Sequence, residues 1–368
     1  MHEHHSEESL APNVIADKLG TVPHLQAAYS SEELLQITNA LKLAAKLFEP
    51  ISRSNLSTQH NVNLPLMEYA VDVGFRLMAG GAPLKQVIAG LLHDSFNGYV
   101  IGSRDELARN IDRKFGQTSE DGVISPLLSR VSTPDRADAE VWLARKKEIV
   151  QTILDTVPEG SLRSTPYTPE DLDFVLSALR ASHNLFNQAK PRPWGPTEQL
   201  SMFRHSAEVG LLLFGSGQSK EIVAAGLMHD FYEGYVSTPR EQIEALVIVQ
   251  FGEEVHHLIS AVTEPPKAQA AGNWRERKLS VVSKLREEDA RANTIACASK
   301  ISTIAEGNKF LYEAGVIEEW SSGSWADNLA VFNDLRTLFA QKGVPADLIK
   351  RYDLELKRWS SWEEPTVH

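Results

Sequence analysis

The feature that most limits how this chain can fold is an internal echo. Residues recur at a constant separation of 136 positions without a gap (209 − 73 = 136): Val73-Gly74 with Val209-Gly210, Leu77 with Leu213, Gly81 with Gly217, and Ala89-Gly90-Leu91 with Ala225-Gly226-Leu227. The register holds through His93-Asp94 and His229-Asp230, Gly98-Tyr99-Val100 and Gly234-Tyr235-Val236, and Phe115-Gly116 and Phe251-Gly252. Beyond this the copies drift by a few residues. LLSRVSTP (127–134) resembles LISAVTEP (258–265), and WLARKKEIVQTIL (142–154) resembles WRERKLSVVSKLR (274–286). A repeat of more than about 80 residues is one duplicated domain, since solenoid units run to about 20–45 residues.

Helical periodicity dominates. LLQITNALKLAAKLF (34–48), SKEIVAAGLMHDFY (219–232) and PREQIEALVIVQFG (239–252) space apolar residues at three and four, the interval of one helix face. Ser219 and Pro239 stand where helix starts are expected. No stretch alternates apolar and polar residues over a strand's length, and hairpin signals are sparse. The reading is an all-α protein of two tandem helical-bundle domains related by internal duplication. The first covers 61–190 and the second 195–340, with an N-terminal helical extension (1–60) and a C-terminal helix and tail (341–368). The Pro-rich 189–199 reads as the linker. Trp320, Trp325, Trp359 and Trp362 enrich the last third and are expected to cover the helical core.

Charge and cysteine content narrow the function classes. Of 368 residues 49 are acidic and 37 basic, a net charge of -12. Such a surface argues against binding nucleic acid through its phosphates, yet allows a small anion in a local basic pocket. Cys297 is the one cysteine, so no intrachain disulfide forms and a reducing, cytoplasmic location is expected. No apolar run approaches the roughly 20 residues of a membrane span. His2, His4 and His5 read as part of a polar tail.

The second copy concentrates the chemistry. FRHSAEVG (203–210) places His205 on a helix, and His229-Asp230 follow 24 positions later. Neighbours on a helix are about 100° apart, so both can reach a point beside it. Two imidazoles and a carboxylate suit a divalent metal of intermediate hardness, manganese, iron or zinc. Such a metal polarises a phosphoryl oxygen and acidifies water. Glu233, three residues past Asp230, is placed to orient or deprotonate that water. Arg204, Arg277, Lys278 and Lys300 are candidates to hold a phosphate, although each alone reads equally as a solvated face. His256 and His257 read as surface residues.

The phrase H…(24)…HD, then FYE, then FGEEVHHLISAVTE, resembles the HD superfamily of metal-dependent phosphohydrolases. The likeness is to the hydrolase domain of RelA/SpoT-type guanosine tetraphosphate enzymes. The resemblance implies His205, His229 and Asp230 as ligands of one metal, usually manganese, with Glu233 acting on water beside Asp230. Two departures stand out. The family's Glu-Asp pair is Glu233-Gly234 here, and the distant metal-binding Asp falls on Ser299. A serine hydroxyl is a poor ligand for a hard cation, so the metal is expected to be weakly held or absent. Asp289 and Glu306 flank Ser299 as acids able to compensate.

In the first copy the early His position is Tyr69, the Glu position is Asn97, and Arg180 falls near the distant Asp. His93-Asp94 alone gives two donors, too few for a tight site. This half reads as degenerate, its His-Asp pair a polar clip between helices. The leading functional reading is an HD-type phosphohydrolase acting on a nucleotide or other small phosphorylated molecule through the second domain. The competing one is an inactive tandem protein that senses a nucleotide or scaffolds a partner. An oxygenase or lyase ranks behind both. A homodimer remains open; nucleic-acid and membrane partners are not expected.

Overall fold

A computed structural model describes residues 29–53, 66–96, 103–115, 124–131, 139–158, 160–186, 192–194, 198–233, 238–264, 274–314 and 323–362. These are almost wholly helical. In chain order they form α1 (Ser31–Arg53), α2 (Leu66–Ala79), α3 (Leu84–Leu91), a 3-10 turn (His93–Phe96), α4 (Arg104–Phe115), α5 (Ser125–Val131), α6 (Ala139–Leu154) and α7 (Pro169–Phe186). A short antiparallel hairpin, β1 (Arg192–Trp194) and β2 (Glu198–Leu200), then pairs Arg192 with Leu200. It occupies the stretch read as a linker, where no hairpin signal was found. After it come α8 (Met202–Gly215), α9 (Lys220–Leu227), α10 (Arg240–Val262), α11 (Trp274–Glu287), α12 (Ala290–Ala314), α13 (Trp325–Gln341) and α14 (Ala346–Ser360).

Helix bounds follow the spacing seen in the sequence. α2 and α8 are each 14 residues long and begin at 66 and 202; α3 and α9 are each 8 residues long and begin at 84 and 220 (202 − 66 = 220 − 84 = 136). The glycines at 90 and 226 explain why the pairs can cross so closely. A Cβ on Gly90 would meet Leu77 Cδ1 at 2.2 Å, and one on Gly226 would meet Leu213 Cδ1 at the same 2.2 Å, below any van der Waals contact. α4 and the first half of α10 also begin 136 apart, at 104 and 240. Gly252, at φ 88° and ψ 168°, breaks α10 there, a left-handed conformation that glycine alone adopts without strain.

Ser219 caps α9 by accepting from the Ile222 N–H, and Pro239 precedes α10, as the start signals predicted. Burial links both halves into one contiguous core. Across the seam Phe75 of α2 meets Phe214 of α8 edge-on at 5.0 Å, and Tyr167 stacks on Phe214 at 3.8 Å. α7 lies on α9, and α1 spans α2, α3 and α8. α12 is the second half's central post, packing on α8, α9, α10 and α14. Trp359 is fully buried, and Trp325 and Trp362 pack against the core; Trp320 lies outside the described residues.

Among the described residues α10 is the one helix long and apolar enough, by length and composition alone, to cross a membrane. Its ladder is interrupted at Gly252, and it packs one face on α9, α11 and α12 while Leu246 and Val249 stay exposed.

Candidate metal centre

α8 and the end of α9 bring two imidazoles and a carboxylate together. The donor atoms of His205, His229 and Asp230 lie within 4.8 Å of one another, and all three residues are buried. α9 ends at Leu227, and the chain turns there so that His229 and Asp230 face back toward α8. The Gly226 carbonyl lies 2.8 Å from His229 Nδ1. A carbonyl only accepts, so Nδ1 carries the hydrogen and Nε2 presents its lone pair to the site. That nitrogen is 3.2 Å from His205 Nε2, 3.3 Å from Asp230 Oδ1 and 3.2 Å from Ser299 Oγ. An imidazole nitrogen facing a carboxylate at this distance calls for positive charge between them, from a proton or from a metal ion, and two imidazoles with a carboxylate are donors of the kind a divalent cation takes.

His205 is oriented from behind by α12. Ser302 Oγ lies 3.0 Å from His205 Nδ1, and Glu306 Oε2 lies 3.9 Å from it. Glu306 is fully buried; burial pushes its carboxyl up, while Arg204 beside it, donating at 2.8 Å, pulls it down. Ser299, Ser302 and Glu306 thus form one stripe of α12, spaced as a helix face requires. Of the two acids considered as substitutes for the missing aspartate, Glu306 is in this second layer. Asp289 instead caps α12, accepting from the N–H groups of Arg291 and Ala292.

The site opens into a cavity of about 310 Å³. Glu233, Arg277, Lys278 and Lys300 line it, so four of the sequence candidates meet beside the His-His-Asp cluster. Arg204 is not among the lining residues; it is spent on Glu306. Burial, with Asp230 and Glu264 adding repulsion, pushes Glu233 up to about 7. The Glu264 backbone N–H donates to Glu233 Oε1 at 2.8 Å. Glu264 itself is held below the usual carboxylate range against the pull of burial by Lys278, Arg277 and Lys300. A wall of Trp274, Val331, Phe332 and Leu335 completes the cavity. Sequence reading missed that wall and Glu264, because no local pattern marks which apolar residues of α11 and α13, or which acid after α10, packing turns toward the site. His256 meets the Tyr232 hydroxyl at 2.9 Å rather than the cluster, and His257 is exposed.

The first half repeats part of this geometry. His93 Nδ1 lies 2.6 Å from the Gly90 carbonyl and its Nε2 3.4 Å from Asp94 Oδ2. Tyr69, in the place of His205, sits 5.1 Å ring to ring from His93, the same separation as between His205 and His229. The Lys146 ammonium lies 4.9 Å over the Tyr69 ring and 3.0 Å from Asp72 Oδ2. Glu68 turns to His183, at 3.1 Å from Nδ1. Arg180 is exposed and donates to Ser177. Among the described residues the His205, His229 and Asp230 group is the one cluster of three such ligands. Asn97, Gly234 and the N-terminal histidines lie outside the described residues.

Residues 191–310 match the family model of the HD domain. The matched stretch is 120 of the 368 residues (310 − 191 + 1 = 120), and the His-His-Asp cluster and Ser299 fall inside it. Two solved structures are similar. One is the lmo0812 protein of Listeria monocytogenes EGD-e, 21% identical over 42% of this chain and 96% of that one, with a TM-score of 0.35. The other is a metazoan ortholog of SpoT described as hydrolysing ppGpp, 16% identical over 53% of this chain and 98% of that one, with a TM-score of 0.40. No curated protein matches the sequence.

Proposed function

We propose that the chain is a metal-dependent phosphohydrolase of the HD type, acting on a nucleotide or related phosphate ester through its second half. The observation that carries this reading is the convergence of His205 Nε2, His229 Nε2 and Asp230 Oδ1 in the lining of a cavity that Arg277, Lys278 and Lys300 also line. A divalent cation, manganese first and iron or zinc next, supplies Lewis-acid polarisation of a phosphoryl oxygen when bound. His205, His229 and Asp230 would hold it, with Ser299 as a weak fourth partner. Arg277, Lys278 and Lys300 bind the phosphoryl oxygens and offset the charge that grows there. Glu233, titrating near neutrality, accepts a proton from the water whose oxygen attacks phosphorus. The ester P–O bond breaks, and the leaving oxygen takes up the proton that Glu233 accepted, which returns the carboxylate to its starting state. Trp274 and Phe332 keep bulk water from the reacting atoms.

The two halves are proposed to descend from one duplicated HD domain, with helix bounds displaced by 136 residues as support. In the first half Tyr69 and Lys146 stand about the His93-Asp94 pair, and that half serves as a scaffold. A second reading, a non-catalytic tandem protein that senses a nucleotide or scaffolds a partner, is favoured by one feature. Ser299 puts a neutral hydroxyl where a carboxylate would complete the metal shell. Elemental analysis of the purified protein, followed by phosphate release from nucleotides with added manganese, separates the two. Bound metal and turnover support the hydrolase; no metal and no release overturn it in favour of the sensor.

A further inference from the structure

We propose that Glu264 is an internal anion seated in the phosphate subsite of the cavity, and that a phosphoryl group enters by displacing its carboxylate. This deepens the phosphohydrolase reading and rests on it for the identity of the natural ligand. Glu264 follows the last turn of α10 and its side chain is 15% exposed. Its Oε1 accepts from Lys278 Nζ, and its Oε2 lies 3.7 Å from Arg277 Nε. Lys300 lines the same cavity and attracts the same carboxylate. Three cations that could serve a phosphate are therefore grouped around one carboxylate.

Carboxylate and phosphoryl oxygens make the same charge-assisted contacts with ammonium and guanidinium groups. The phosphoryl dianion carries more charge and more acceptors, so it can replace the carboxylate once it reaches the cations. The ligand class is accordingly a phosphate monoester or a terminal pyrophosphate, which brings two charges to Lys278 and its neighbours. The exchange would also reach the proton-handling group. Glu233 is held by the backbone N–H of Glu264 at 2.8 Å, so moving residue 264 changes the hydrogen bonding of Glu233. Ligand entry and the readying of Glu233 would be one event.

Binding of inorganic phosphate and of pyrophosphate is measured by titration calorimetry on the full chain with a chelator present, so that metal plays no part. Removing a competitor that occupies the subsite about 90% of the time tightens apparent affinity about tenfold. Glu264→Gln keeps the size and the backbone N–H, and should show that gain; Glu264→Ser should show it as well. Adding Lys278→Gln to Glu264→Gln should cancel it. Circular dichroism verifies that each variant is folded. Unchanged or weaker binding in either folded Glu264 variant overturns the proposal, as does a gain that survives Lys278→Gln. A chain that holds no metal and releases no phosphate, yet binds phosphate tighter after Glu264→Gln, would refute the hydrolase and leave this inference standing.

Discussion

At Ser299 a neutral hydroxyl stands 3.2 Å from His229 Nε2, so the position faces the His-His-Asp cluster. Ser299→Asp restores an anionic donor and should tighten manganese binding by about tenfold or more, the scale on which ligand-shell changes act. Calorimetry reads it; an unchanged affinity would place residue 299 outside the shell. Gly226 and Gly90 give a paired test. Either glycine changed to Ala meets a leucine Cδ1 at 2.2 Å and should cost about 1–3 kcal/mol by overpacking. Only Gly226→Ala should also weaken metal binding, because the Gly226 carbonyl orients His229. Glu233 sets the pH expectation. With its carboxyl pushed up to about 7, it is protonated below that value and gains base character above it, and a bound cation moves the transition lower. Phosphate release should therefore rise with pH along a limb at or below about 7, and Glu233→Gln should remove that limb from the rate profile.

Among the helices, α13 shows how a cap reaches a site. Ser324 accepts from the Asp327 N–H at 3.1 Å and donates to its carboxylate at 2.8 Å, fixing the first turn. Val331, Phe332 and Leu335 follow along the same helix as the cavity wall. Ser324→Ala should lower stability by about 1 kcal/mol, read as a shift in denaturation midpoint. α14 carries a buried ion pair: Arg351 donates to Glu355 at 2.5 Å, and both are at most 1% exposed. Burial would raise Glu355, but Arg351 and Arg358 overrule it and the carboxyl is held below its usual value. A lowered native value means the stabilisation is complete above the unfolded carboxyl's range of about 4.3 and fades as pH falls through the lower native value. Glu355→Ala leaves Arg351 as a buried charge and should cost about 3–5 kcal/mol at neutral pH. A loss below 1 kcal/mol in urea titration would show that the pair adds little net stability.

For the whole molecule the decisive feature is one core shared by two halves. Phe75, fully buried, bridges them through Phe214 and lies against Gly210. Phe75→Ala should cost about 3–5 kcal/mol and lower a single unfolding transition. Manganese binding in the second half should raise that same transition for the entire chain, since a ligand of the native state stabilises the whole cooperative unit. Two separate transitions in calorimetry, with only one responding to metal, would show that the halves fold independently.

Much of this was legible from residue order. Three- and four-residue spacing dictated helices, and the constant offset of 136 anticipated paired helix bounds, because burying a helix face demands local periodicity that survives in the sequence. That His205 could meet His229-Asp230 was legible from helix geometry, whereas the place of Ser299 beside them was read only from the resemblance to the HD superfamily. Tertiary structure alone decided the rest. It turned Arg204 onto Glu306, brought Trp274 and Phe332 from distant helices to wall the cavity, seated Glu264 among the cations, and merged two halves into one core. Those outcomes depend on how helices cross and which charges meet after packing. Both are set by contacts between residues far apart in the chain, which no local pattern encodes.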